Sequence, residues 1–136
     1  PTRLLAVRAD GSGDITSTHV KWTARKSIPN RPSQLLVGDS LFMVSSSGVA
    51  SCLDIRTGGP RWTSRITGKH AASPIKIDNR IYTFSEKGVT HVFAAEKKYR
   101  QLAINRLDGG FMASPAVHGA AWILRTKTHL YRIEKR

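Results

Sequence analysis

Cys52-Leu53-Asp54-Ile55-Arg56-Thr57-Gly58-Gly59-Pro60-Arg61-Trp62 is the stretch whose reading decides the fold. It begins at the end of one apolar strand, passes through a turn, and starts another strand. Gly58 can take the backbone geometry of a tight turn. Asp54 and Thr57 can hydrogen-bond the local backbone of the same turn. Trp62 then offers a large apolar plate on the outgoing strand.

The same signal recurs. Trp22 precedes Trp62 by 40 residues, within the roughly 40–50 residue period of a propeller blade. Adding the same step again reaches Leu102, an apolar residue in a similar setting. The segments between these marks overlay. Gln34-Leu35-Leu36-Val37 and Leu41-Phe42-Met43-Val44 flank Gly38-Asp39. Ile75-Lys76-Ile77 and Ile81-Tyr82-Thr83-Phe84 flank Asp78-Asn79. Ala116-Val117-His118 and Ala121-Trp122-Ile123-Leu124 flank Gly119-Ala120. Gly, Asp and Asn tolerate the positive φ of tight hairpin turns, and Ala120 is the poorest fit. A second turn at Ser46-Ser47-Gly48 and at Glu86-Lys87-Gly88 leads to a third strand in each unit. Fourth strands follow at Arg61–Ile66 and Gln101–Ile104, with Val20–Arg25 as their earlier counterpart.

Each unit therefore reads as four short antiparallel strands. Helical periodicity is absent over any useful length. Strands apolar on both faces must be covered on both faces, as in a blade held between two others. The expected fold is all-β: part of a β-propeller, about three four-stranded antiparallel blades, locked by tryptophans. The expected division is 1–28 as the end of a preceding blade, 29–68 and 69–109 as full blades, and 110–136 as a three-stranded last blade. A chain that begins in mid-pattern is expected to be a piece of a longer protein. Its missing N-terminal blades would then supply the last blade's fourth strand.

Composition sets the outer limits. The 136 residues are 40% hydrophobic, enough for a core. No apolar run approaches the ~18 residues of a membrane span. The single cysteine, Cys52, excludes an internal disulfide framework and a Cys-rich zinc site, and reads as a small buried hydrophobe. The net charge is +13, which suits a polyanion partner or a solvated basic surface. The cations are dispersed. The densest groups are Lys97-Lys98 with Arg100 and Glu134-Lys135-Arg136, too short for a basic arm, so nucleic acid is not the expected partner.

The stretch ending at Trp62 resembles the docking motif of pyrroloquinoline-quinone-like propeller repeats, Ala-x-Asp-x-x-Thr-Gly-x-x-x-Trp, with Cys52 in place of Ala. Ala72-Ser73-Pro74 and Ala113-Ser114-Pro115 resemble the strand starts of these repeats. The next unit departs from the motif, with Ala94-Ala95-Glu96-Lys97-Lys98 in place of Asp-x-x-Thr-Gly and Leu102 in place of Trp. The resemblance implies that Asp54, Thr57, Gly58, Trp62 and Trp22 form a structural docking motif. It also implies the periplasm or cell envelope of a bacterium, an address the residues themselves do not carry.

Family membership raises two functions. One is a non-catalytic interaction or scaffold propeller, similar to an outer-membrane assembly lipoprotein or the propeller sensors of bacterial kinases. The other is the C-terminal part of a quinone-dependent dehydrogenase whose site lies upstream. Such enzymes hold the quinone and a calcium ion beneath an adjacent Cys-Cys pair. Calcium needs several oxygen ligands, whereas the acidic residues here are single and mostly at turns. No catalytic, cofactor or metal residue is therefore expected in this chain. His19, His70, His91, His118 and His129 fall in different units or strands and form no ligand pair. Asp10-Gly11-Ser12-Gly13-Asp14 reads as a polar turn, lacking the closing Glu of a calcium loop. The scaffold reading is preferred, with a protein partner and self-association through open blade edges. A polyanion-binding propeller is the third reading.

Overall fold

The structure, a computed structural model, describes residues 2–134; Pro1 and the tail cations Lys135 and Arg136 lie outside the described residues. Every regular element among the described residues is a strand. β1 (Leu4–Val7) and β2 (Val20–Ala24) form a two-stranded antiparallel sheet. β3 (Leu35–Val37), β4 (Ser40–Val44), β5 (Val49–Asp54) and β6 (Pro60–Arg65) form the second sheet in sequential order. β7 (Ile75–Ile77), β8 (Arg80–Phe84), β9 (Val89–Ala94) and β10 (Gln101–Arg106) repeat it. β11 (Ala116–His118), β12 (Ala121–Arg125) and β13 (Leu130–Glu134) form a three-stranded sheet. This is the all-β propeller architecture that the repeat predicts.

Local chemistry explains the turns. Gly38 and Gly119 hold φ of 57° and 59°, and Asp78 holds φ of 50° at the matching turn, a left-handed backbone that Asp tolerates better than most residues. At the second turn the constraint is spatial. Gly48 has φ of 81°, and a Cβ there would stand 2.4 Å from the Gly68 carbonyl oxygen and 2.7 Å from that of Ile66. The Ser45 hydroxyl accepts the Val49 N–H at 3.0 Å, and Ser85 does the same for Val89 at 3.0 Å.

The core lies between the sheets, because β4, β5, β8 and β9 are covered on both faces. Phe42, Val44, Cys52 and Ile66 of the second sheet pack on Ile81 and Phe93 of the third. Phe84 and Ala72 pack on Phe111 and Leu124 before the last sheet. Ile28, Met43 and Leu53 fill the space beside the first. Hydrogen bonds step between sheets at the start of each blade: Ser33 N–H donates to the Ser73 hydroxyl at 2.9 Å, and Ser73 N–H to that of Ser114 at 2.9 Å.

Register corrects one expectation. Cys52 pairs with Trp62, and its equivalent Val92 pairs with Ala103, not with Leu102. The β9–β10 connection is one residue longer than its predecessor. Asp54 N–H bonds the Gly59 carbonyl, whereas Ala94 N–H reaches Arg100. Leu102 therefore stands where Arg61 stands, at the bulge that both sheets carry, and is exposed.

Candidate functional site

Asp54, Thr57 and Gly58 meet in the β5–β6 turn. The Asp54 carbonyl accepts the Gly58 N–H at 2.8 Å, its carboxylate accepts the Arg56 N–H at 2.8 Å, and the Thr57 hydroxyl accepts the Gly59 N–H at 3.1 Å. Trp22 lies flat against this turn from the first sheet. Its indole N–H donates to the Ile55 carbonyl at 2.8 Å. A Cβ on Gly58, whose φ is 70°, would stand 2.5 Å from the Trp22 ring. Trp62 repeats the gesture toward the third sheet, donating to the Glu96 carbonyl at 3.1 Å. Its ring meets Phe93 edge-on at 5.5 Å, Phe42 at 6.0 Å and Tyr99 at 5.1 Å. Trp122 instead stands on β12, edge-on to Tyr82 at 4.5 Å.

The carboxylates nearest these turns are already engaged. The Arg61 guanidinium bonds Asp39 at 2.9 and 3.0 Å and Asp54 at 2.7 Å, and also donates to the Ser40 hydroxyl. Lys97 joins from the third sheet, 2.7 Å from Asp39. Arg61 first and Lys97 second hold the Asp39 carboxyl well below its ordinary pKa, and Asp39 in turn raises that of Arg61. Arg8 pairs with Asp10, Arg100 with Glu96, and Asp14 accepts the Thr16 N–H at 3.0 Å. Cys52 is buried, unpaired and pushed up in pKa by that burial. A quinone–calcium centre does not fit these residues. Calcium wants several convergent oxygen donors, and here Asp39 and Asp54 converge on a guanidinium.

A cleft of about 1110 Å³ opens between the outer parts of the second and third sheets. Arg65, Lys69, Lys87 and Arg106 contribute its charge, and Ile66, Val89 and Ile104 its apolar surface. Glu86, the one acidic residue lining it, stands 3.7 Å from Arg31. β6 and β10 are edge strands of their sheets, at the ends opposite β3 and β7. His91 lies in the cleft wall, 3% exposed. Its Nε2 accepts the Thr67 N–H at 3.2 Å and meets the Thr67 hydroxyl at 3.0 Å, while Nδ1 has no partner. Burial lowers its pKa.

His70 lies deeper, fully buried with both ring nitrogens unpartnered. Burial first, and His91 second, bring its pKa down to about 4. The Thr83 hydroxyl is likewise buried without a partner. Sequence reading separates His70 and His91 because they belong to different strands. The packing of the β6–β7 connection against β9 makes them interact, and no spacing rule carries that signal. A second groove of about 540 Å³ lies between the third and last sheets, lined by Tyr82, Phe84, Leu107, Trp122, Leu124 and Ile133. Among the described residues no helix is long and apolar enough to cross a membrane.

No protein-family model matches the sequence, and no curated protein matches it. Solved structures do match its shape. BamB from Moraxella catarrhalis superposes with a TM-score of 0.73 over 97% of this chain, at 19% identity. A europium-containing methanol dehydrogenase superposes at 0.60 over 76%, with 12% identity. The computationally designed protein Ika4 superposes at 0.53 over 82%, with 10% identity. The fold is therefore that of part of a β-propeller. This chain spans 40% of the BamB chain and 21% of the dehydrogenase.

Proposed function

We propose that this chain serves a protein-binding propeller and takes no part in quinone chemistry. The observation that carries the reading is the cleft between the second and third sheets, flanked by edge strands β6 and β10. Edge strands present unpaired backbone N–H and C=O groups that an added strand can use. Leu102 and Ile104 are exposed on β10 beside them, which gives an incoming side chain apolar surface. The likeness to BamB over nearly the whole chain supports the same reading. In it, Trp22, Trp62, Asp54, Thr57 and Gly58 are structural: each tryptophan docks one blade on the β5–β6 or β9–β10 turn of the next. A periplasmic or cell-envelope location is the expectation that the repeat's resemblance carries.

The test places a photocrosslinking residue at Ile104 in the longest natural form of the protein, in its own cells. A discrete protein adduct is expected. Oxidation of an alcohol or sugar by that protein after addition of the quinone and calcium, with no adduct, overturns the proposal in favour of the dehydrogenase.

A further inference from the structure

We propose that the occupant of the cleft between the second and third blades is an extended acidic peptide with alternating apolar side chains, added along the edge of β10. The inference rests on the protein-binding reading above and names the chemistry of its partner.

Charge decides the sign. Arg65, Lys69, Lys87 and Arg106 line the cleft, and among the described residues none of the four has an ion-pair partner within the cleft; the one carboxylate there, Glu86, sits beside Arg31. Elsewhere the chain spends its acids on its bases: Arg61, Arg8 and Arg100 each hold a carboxylate. Four uncompensated cations thus converge on one cavity that also has apolar walls, and a chain of net charge +13 adds long-range attraction for an anionic partner.

Shape and polarity decide the class. Ile66, Val89 and Ile104 give the cleft an apolar surface between its cations. An added strand turns every second side chain toward the cleft, where Ile104 and Arg106 share one face of β10 and Ile66 and Lys69 also line the wall, so acidic and apolar side chains alternate along its cleft-facing set. Single-stranded nucleic acid is disfavoured on the same ground: it binds by stacking bases on aromatic rings, and no Phe, Tyr or Trp lines this cleft among the described residues.

The experiment uses the whole chain and a fluorescein-labelled peptide of about eight residues, Glu-Thr-Val-Thr repeated so that Glu and Val alternate along one face, roughly the length of a long strand, read by anisotropy. Binding is expected, and weakening as salt is raised. Lys69→Glu with Arg106→Glu is expected to weaken it at least about tenfold, since like charges meet across the interface. Lys98→Glu, outside the cleft, is expected to leave it unchanged. Circular dichroism of both variants confirms the fold. No binding, equal binding by the double variant, equal binding by an all-Glu peptide, or tighter binding of an oligonucleotide of matched charge each overturns the proposal. If the Ile104 adduct forms in cells and survives Lys69→Glu/Arg106→Glu, the acidic partner is wrong while the protein-binding reading stands. If no adduct forms, both fail.

Discussion

The two interfaces that flank the third blade are built from equivalent positions and packed differently. Between the second and third blades, Trp62 packs edge-on and tilted among Phe42, Phe93 and Tyr99 and is tied to the Glu96 carbonyl. Between the third and last blades the position equivalent to Trp62 is Ala103, and the 540 Å³ groove lies nearby. By register Ile133 stands where Phe93 stands, so the turn that would offer the acceptor carbonyl falls past the described residues. Trp122, equivalent to Ile81, enlarges the core from the other side. A tryptophan needs both a plate to lie on and an acceptor for its N–H. Between the second and third blades both are present, the plate in Phe93 and Tyr99 and the acceptor in the Glu96 carbonyl.

Removing the plate is the largest expected effect. Trp62→Ala should destabilise the chain by about 3–5 kcal/mol, measured by denaturant unfolding. Ala103→Gly at the equivalent site should cost about 1 kcal/mol or less. Comparable losses at the two sites would break the contrast between the interfaces.

The second effect is a pH dependence. His70 and Phe111 are equivalent, each making a lone bridge, to Ser85 and to Thr126. Phe111 meets Phe84 ring to ring at 5.4 Å, whereas His70 buries an imidazole whose pKa falls to about 4. The unfolded chain takes up that proton near pH ~6.5, so the native state is full strength above this pH. Stability should then fall as pH drops from about 6.5 to about 4, by up to about 3 kcal/mol. Asp39, whose pKa is depressed by Arg61, loses its contribution only below about pH 4, so the two windows separate. His70→Phe should flatten the upper window. An unchanged slope between pH 4 and 6.5 in that variant would place the titrating group elsewhere.

Gly58→Ala should follow at about 2 kcal/mol, because its φ of 70° and the Trp22 ring 2.5 Å from the new Cβ both resist it. The same change combined with Trp22→Ala should cost less than the sum of the two, since the clash is then gone. The smallest effect is Trp62→Phe in its hydrogen-bonding part, about 1 kcal/mol for the lost N–H bond to Glu96, beyond the cost of the smaller ring. Replacing Glu96 by Ala should not reproduce it, because the acceptor is the backbone carbonyl.

The strands and turns were legible because their chemistry is local. Gly38, Gly48 and Gly88 mark turns whose backbone few other residues accept, and the run from Cys52 to Trp62 carries a whole strand–turn–strand in one reading. Counting in steps of forty failed at Leu102, since one extra residue between Ala94 and Arg100 shifts the register and no local signal marks the shift. The cleft was illegible for a different reason. Arg65, Lys87 and Arg106 are dispersed along the chain and converge only when blades stack. The same holds for His70 and His91. Sequence patterns report on which face a residue stands, and much less on which residue of the next blade it meets.

Hydrogen exchange of the whole chain, with and without the Glu-Val peptide, locates the docked strand. Docking on β10 should slow exchange only at the end of β6, residues 66–69 and the edge of β10, leaving β11–β13 unchanged. Protection centred on β11–β13, or none anywhere at saturating peptide, would contradict it.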